Sequence, residues 1–359
     1  MNSNTSRLHQ AGVSLWLDNI TRGMLKNGKL ERYIHDLSIT GLTSNPTIFD
    51  NAVASTNEYD EAILQKVKAG RSGEALFFEL AIEDLSQAAQ LFRPVFDLTN
   101  GIDGWISLEV SPLLAYDADA SIQAAVSLHK KADQPNLFIK IPGTPQGLPA
   151  IEQAIFAGVP VNVTLLFSAE QYLAASQAYL RGIERRIAAG LDPDVRSVAS
   201  IFISRWDKAT MGKVLPALQN TLGIAVAQRT NALYRDLLNS DQMLRVMNLG
   251  AQPQRLLWAS TGTKDPHASD ILYIRSLVAP YTINTMPEET LLAFADHGEM
   301  ETSLSAEKNK SDQVLEDFKK AGIDYDQLAE QLQKDGAAAF VNSWKNLLAT
   351  IEAKSTIIS

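Results

Sequence analysis

Lys140 stands in the run Leu137-Phe138-Ile139-Lys140-Ile141-Pro142, an ionisable residue inside an otherwise apolar segment. Successive side chains of a strand point to opposite faces. Ile139 and Ile141 take one face, so Lys140 shares the other with Phe138 and Pro142. If the isoleucines pack against helices, the lysine points into the interior. A lysine ammonium has a pKa of about 10.4 in water, and burial can lower it by several units and leave a neutral amine. A neutral buried amine attacks carbonyls, which is the requirement for Schiff-base chemistry. The alternative is a lysine at the exposed end of a strand, paired with a carboxylate or holding an anion, and position alone leaves both open.

The same parity recurs nearby. In Ile106-Ser107-Leu108-Glu109-Val110, Leu108 and Val110 share one face and leave Glu109 on the face that Lys140 uses. Leu15-Trp16-Leu17-Asp18 places Asp18 inward in the same way, and Val161-Asn162-Val163-Thr164-Leu165 does so for Asn162 and Thr164. Any one carboxylate also fits a satisfied structural ion pair. Later segments supply cations: Ser200-Ile201-Phe202-Ile203-Ser204-Arg205 ends a strand with Arg205, and Ser260-Thr261-Gly262-Thr263-Lys264 follows another strand with hydroxyls, a glycine and Lys264. In barrels the anion site is frequently built from the loops after the last strands, so Arg205 and Lys264 are candidate clamps for a sugar phosphate, although each alone also reads as a surface charge. The five histidines, His9, His35, His129, His267 and His297, lack metal-ligand spacing, and neither a Gly-x-Gly-x-x-Gly nor a complete P-loop occurs. Metal-dependent and dinucleotide-dependent reactions are disfavoured.

The elements that must position these residues alternate: a short β-branched apolar run, then a longer amphipathic segment, the mark of a parallel sheet covered by helices. Strands are expected around Leu15 to Leu17, Ile39 to Thr43, Trp105 to Val110, Leu137 to Ile141, Val159 to Leu166, Val195 to Ile203, Arg255 to Ser260 and Thr282 to Thr285. Eight of them predict a closed (β/α)8 TIM barrel. Gly73 to Phe92 reads as a helix, with Leu76, Phe77, Leu80, Ala81, Leu85, Ala88 and Leu91 on one side and Glu74, Glu79, Glu83 and Asp84 largely on the other. Ser168-Ala169-Glu170-Gln171 fits a capping box, and Pro149 suits a first helical turn. Ala337 to Lys354 reads as a terminal helix starting just after Gly336, its stripe of Phe340, Trp344, Leu347, Leu348 and Ile351 assigned to core packing. Such a barrel needs about 250 residues, and the chain has 359. One domain spanning 1–359 is expected, with inserted helices near 51–93 and a charged C-terminal helical appendage over 303–356, its part from Ser303 to Ala338 solvated.

Net charge is −9, from 32 Lys plus Arg against 41 Asp plus Glu, and cysteine is absent. Without thiols there are no disulfides, thiolate metal sites or cysteine nucleophiles. An acidic balance with no massed basic segment argues against nucleic-acid binding. No stretch approaches the roughly 18 apolar residues of a membrane span, and the polar N-terminus is not followed by a secretion signal's apolar core. A soluble, cytoplasmic protein is expected, and no pattern sets an oligomeric state.

Two segments resemble the transaldolase family: Ile39-Thr40-Gly41-Leu42-Thr43-Ser44-Asn45-Pro46-Thr47-Ile48-Phe49, and Leu137 to Gly147 with its Lys140-Ile141-Pro142-Gly143-Thr144. Further similarity at Leu17-Asp18, Ser107 to Pro112, Asn162 to Ser168 and Ala199 to Arg205 extends it from about residue 12 to about residue 290. The resemblance implies a cofactor-independent enzyme of the pentose phosphate pathway acting on sugar phosphates. It would move a dihydroxyacetone unit from sedoheptulose 7-phosphate to glyceraldehyde 3-phosphate, giving erythrose 4-phosphate and fructose 6-phosphate. It assigns the Schiff base to Lys140, proton removal from the C4 hydroxyl to Asp18, and proton shuttling to Glu109 through a water near Thr164. Asn45 and Ser200 would bind the dihydroxyacetone hydroxyls, with Asn162 beside them, and Arg205 with Ser260 would hold the phosphate. Phe202 would keep hydroxyls away from the enamine. Where shorter members carry an arginine two residues after the phosphate-binding serine, this chain has Gly262, and Lys264 is the nearest cation. The alternatives are a fructose-6-phosphate aldolase-type enzyme that releases free dihydroxyacetone and a non-catalytic barrel that binds sugar phosphates.

Overall fold

The computed structural model describes residues 2–300, 304 and 308–358. Eight parallel strands, β1 (Val13–Asp18), β2 (Ile39–Thr43), β3 (Trp105–Glu109), β4 (Leu137–Pro142), β5 (Val161–Leu166), β6 (Ser197–Phe202), β7 (Arg255–Ala259) and β8 (Thr282–Met286), pair in chain order, and β8 pairs with β1 to close the barrel. The strands form because both faces are buried. Leu15, Leu17, Leu108, Ile139, Ile141, Val161, Val163, Ile201 and Trp258 join the helices in one large apolar cluster. Trp16, Trp105, Phe138, Val198, Leu257 and Ile283 fill the interior as a separate one. The expected parity therefore holds, and β3 and β4 align so that Glu109 lies beside Lys140. Gly41 makes room for the central indole: a Cβ there would lie 2.4 Å from the Trp16 ring.

The β1–β2 register shifts between Leu15 and Trp16, so that Ile39 and Leu42 both face the helices, and a second shift falls on β5. The β5–β6 register shifts between Val163 and Leu166, and Leu165 has a φ of 60°. A left-handed backbone costs a leucine roughly 1–2 kcal/mol, so neighbours must hold this bulge in place. Strand β6 is shorter than the expected run. It ends at Phe202, where Ile203 takes up helical backbone angles (φ −97°, ψ −64°), so Arg205 sits in the first turn of the helix Ser204–Thr210.

Between β2 and β3 lie the helices Pro46–Ser55, Asp60–Lys68 and Gly73–Leu98. The last continues through Pro94, beyond the expected end at Phe92. Asp84, expected on its polar side, is fully buried, where it accepts from Arg22 Nε and the Tyr59 hydroxyl at 2.8 Å each. The Ser168 capping box forms, and Pro149 lies in the first turn of Gly147–Phe156.

The C-terminal helix runs from Tyr325 to Ile358, straight through Gly336. The glycine is a contact point and not a start: a Cβ would meet Leu165 Cδ2 at 3.0 Å, so its absence lets the helix lie against the barrel mouth. Ser303 lies outside the described residues. In the charged stretch that follows, Lys310, Asp312, Glu316, Lys319 and Lys320 are exposed, but Leu315, Phe318, Leu332, Gln333 and Ala337 are buried. Solvation thus describes one face of that stretch, while the other packs on the barrel. Among the described residues, no helix is long and apolar enough to cross a membrane.

Candidate active site

The C-terminal ends of the strands open into a cavity of about 310 Å³ lined by Asp18, Asn45, Lys140, Thr164, Ser200, Phe202, Arg205, Ser260 and Lys264. Residues from six strands and the loops that follow them thus meet in one place, because each sits on the inward parity of its strand or just beyond its end. Lys140 is 6% exposed. Its Nζ donates to the Ser44 carbonyl at 2.9 Å and forms a close ion pair with Glu109 Oε1. Burial pushes the carboxyls of Glu109 and Asp18 up from their ordinary values, with the Lys140 charge opposing it in both cases. Hydrogen bonds from Thr43 and Asn45 also oppose the rise at Asp18.

Glu109 does not line the main cavity. It borders a second space of about 10 Å³ shared with Lys140 and Thr164, about the room one water needs. Thr164 borders both spaces, and its buried hydroxyl has no hydrogen-bond partner among the described residues. Asn162 is buried below the cavity floor, accepting from the Ser200 hydroxyl at 2.7 Å and donating to Ser107 Oγ at 3.1 Å. Its contact is with Ser200 and not with the cavity. Asn45 caps the helix Pro46–Ser55, its side-chain oxygen accepting from the Ile48 amide at 3.1 Å, and this fixes its amide group at the rim.

Arg205 faces the cavity from the first turn of the helix Ser204–Thr210 and Lys264 from the loop after β7, and neither has an ion-pair partner among the described residues. A Cβ on Gly262 would lie 3.6 Å from Lys264 Nζ. The lysine therefore folds back over the position where the resemblance expects an arginine. Ser260, in a left-handed conformation with φ 54°, shares a 2.9 Å hydroxyl contact with Ser204.

Several lining residues escaped the sequence reading. The Thr285 and Thr43 hydroxyls lie 2.6 Å apart, and Thr43 donates to Asp18 Oδ1 at 2.7 Å, which leaves Thr285 to donate to Thr43. The inward parity of β2 and β8 carries that signal. Ala339, Phe340 and Ser343 of the C-terminal helix also line the cavity. Phe340, assigned to core packing, instead stands 6.0 Å from Lys140 Nζ and 6.5 Å from the Phe202 ring. No group of three or more His, Cys, Asp or Glu suited to a metal exists among the described residues.

A buried amine between two carboxylates, on a barrel mouth that also presents unpaired cations, fits the class of lysine-dependent aldol enzymes acting on phosphorylated carbonyl compounds. The family model for transaldolase/fructose-6-phosphate aldolase matches residues 15–351, and the chain belongs to that family. It is 42% identical to a transaldolase of Saccharopolyspora erythraea over 98% of this chain and 97% of that one. A Trichodesmium erythraeum transaldolase is 37% identical over 97% of this chain and 96% of its own length. A Mycobacterium marinum transaldolase is 39% identical over 98% and 97%.

Proposed function

We propose that the chain is a transaldolase, transferring a dihydroxyacetone unit from sedoheptulose 7-phosphate to glyceraldehyde 3-phosphate through a Schiff base on Lys140. The observation that carries this reading is the placement of Lys140 between Glu109 and the cavity that Asp18 faces. Glu109, in direct contact with the amine, takes its proton and frees the lone pair to attack the C2 carbonyl. A carboxyl raised by burial holds that proton and returns it, with the water-sized space beside Thr164 serving the transfer, as the carbinolamine hydroxyl leaves as water. Asp18, likewise raised, takes the C4 hydroxyl proton. The C3–C4 electron pair then flows into the iminium, the aldose leaves, and a three-carbon enamine stays on the enzyme. Attack of this enamine on the acceptor aldehyde, with Asp18 returning the proton to the new alkoxide, reverses the sequence.

Asn45 and Ser200 are the donors for the dihydroxyacetone hydroxyls, and Asn162 orients Ser200 from below. Arg205, Ser260 and Lys264 form the phosphate clamp, Arg205 as a planar fork and Lys264 as a point charge. The enamine must outlast the exchange of aldoses, so proton donors are kept from it. Phe202 and Phe340 present rings without hydroxyls on that side, which favours transfer over release of free dihydroxyacetone. The substrates are sugar phosphates, and a soluble protein working in the pentose phosphate pathway of the cytoplasm fits this reading. The test is product analysis with sedoheptulose 7-phosphate in the presence and absence of glyceraldehyde 3-phosphate. Fructose 6-phosphate should form only with acceptor; free dihydroxyacetone released at a matching rate without acceptor would overturn the assignment.

A further inference from the structure

Gln333 is a polar side chain of the C-terminal helix, only 8% exposed. Its amide nitrogen donates to two carbonyls, Gly143 O at 3.1 Å and Leu165 O at 2.9 Å. The first follows Lys140 at the end of β4; the second follows Thr164 within the β5 bulge. The two segments are also joined directly, the Gly143 amide donating to the Thr164 carbonyl at 2.7 Å. Gln333 therefore clamps the ends of the two strands that carry the amine and the unpartnered hydroxyl.

The bulge decides where the side chain next to the Thr164 hydroxyl points. In regular alternation Thr164 would face the barrel interior and Leu165 the helices. With its φ of 60°, Leu165 instead packs in the interior cluster with Phe167, Phe202, Leu332 and Ala337, next to Thr164 at the mouth. Bulges beside active sites commonly re-aim side chains in this way. A left-handed leucine persists only where its surroundings over-determine it. Here the C-terminal helix supplies two restraints from one face: the Gln333 hydrogen bond on the Leu165 carbonyl, and Gly336, three residues on, admitting the Leu165 side chain.

We infer that Gln333 is a positioning residue for the Schiff-base steps: by tying the Leu165 bulge to the end of β4 it fixes the Thr164 hydroxyl in place beside the Lys140–Glu109 pair. The inference rests on the Schiff-base reading above. The affected step is carbinolamine dehydration. There the C–O bond breaks, the hydroxyl leaves as water with a proton from Glu109, and the nitrogen lone pair forms C=N; Thr164 orients the water and keeps its own proton. Asp18 sits on β1, across the barrel from β5, so cleavage of C3–C4 does not depend on Gln333.

Rapid-quench borohydride trapping with fructose 6-phosphate reads the step directly. Gln333→Leu should slow adduct formation about tenfold with KM little changed, and Thr164→Ala should slow it at least as much. The double variant should be no slower than Thr164→Ala alone, because Gln333 acts through Thr164. Gly336→Ala should slow adduct formation without removing any polar group, and its double with Thr164→Ala should again be non-multiplicative. If Gln333→Leu does not fold, the Gly336→Ala cycle decides by the same criterion. Wild-type trapping rates in the single variants, or multiplicative losses in the doubles, would overturn the inference. Failure of the wild-type protein to trap any adduct would overturn the Schiff-base reading instead.

Discussion

At the N-terminal end of the barrel, Asp103 accepts from Ser14 Oγ and from Trp16 Nε1 at 3.0 Å, with Arg255 3.5 Å away. Arg255 also donates to Ser14 Oγ at 2.6 Å, and the Trp105 ring stacks on Phe138 at 4.0 Å. At the C-terminal end, Asp18 and Glu109 share one lysine, burial pushes both carboxyls up, and the Thr164 hydroxyl has no hydrogen-bond partner among the described residues. The same eight strands thus hold buried carboxylates in two ways. Where donors surround the carboxylate the network closes and stabilises the fold; where charges and hydroxyls are left short of partners, proton transfer is within reach. A single residue on β1, Leu17, separates Trp16, which serves the first network, from Asp18, which serves the second.

The largest expected contrast is at Asp18. Asp18→Asn should lower kcat by about 10³, within the range of general acid–base groups. It should also raise the thermal midpoint at neutral pH. The sign follows from the raised carboxyl: its contribution to stability is present below the unfolded value and lost as pH rises through the folded one, so the ionised form weighs against folding at pH 7. The same shift places the acid limb of the wild-type kcat/KM profile above the ordinary carboxylate value of 3.8. A limb at or below that value, or a variant that melts lower, would contradict it. Asp103→Ala should reverse the pattern, costing about 3 kcal/mol in denaturant unfolding, as for one partner removed from a buried pair, with kcat retained. A large kcat loss there would erase the distinction between the two ends. The smallest effects belong to the mouth cations. Arg205→Ala should raise KM for fructose 6-phosphate about tenfold or more, and the exposed Lys264, changed to Ala, only a few-fold. Unphosphorylated fructose as donor should show neither change.

The inward set on β1, β3, β4 and β5 was legible because strands buried on both faces are apolar by default, so Asp18, Glu109, Lys140, Asn162 and Thr164 stood out. The strand order followed from the same alternation. The C-terminal helix was not legible. Phe340 lies on a stripe with Trp344 and Leu347, and spacing cannot distinguish a ring over an active site from one in a core. Gly336 read as the residue just before a helix start because a helical glycine costs up to about 1 kcal/mol; only its close approach to Leu165 shows why it is used. The Leu165 bulge left no sequence mark, since the residue is neither glycine nor asparagine, and the restraint lies 168 positions away at Gln333. Asp84 was misread for a similar reason, its partner Arg22 being 62 residues off.

Lys140 is the proposed covalent centre, and borohydride reduction in the presence of fructose 6-phosphate, followed by peptide mapping, tests this most directly. A single reduced ketose-derived adduct on Lys140 is expected, absent from a folded Lys140→Met protein. An adduct on another lysine, or an undiminished adduct in Lys140→Met, would contradict it.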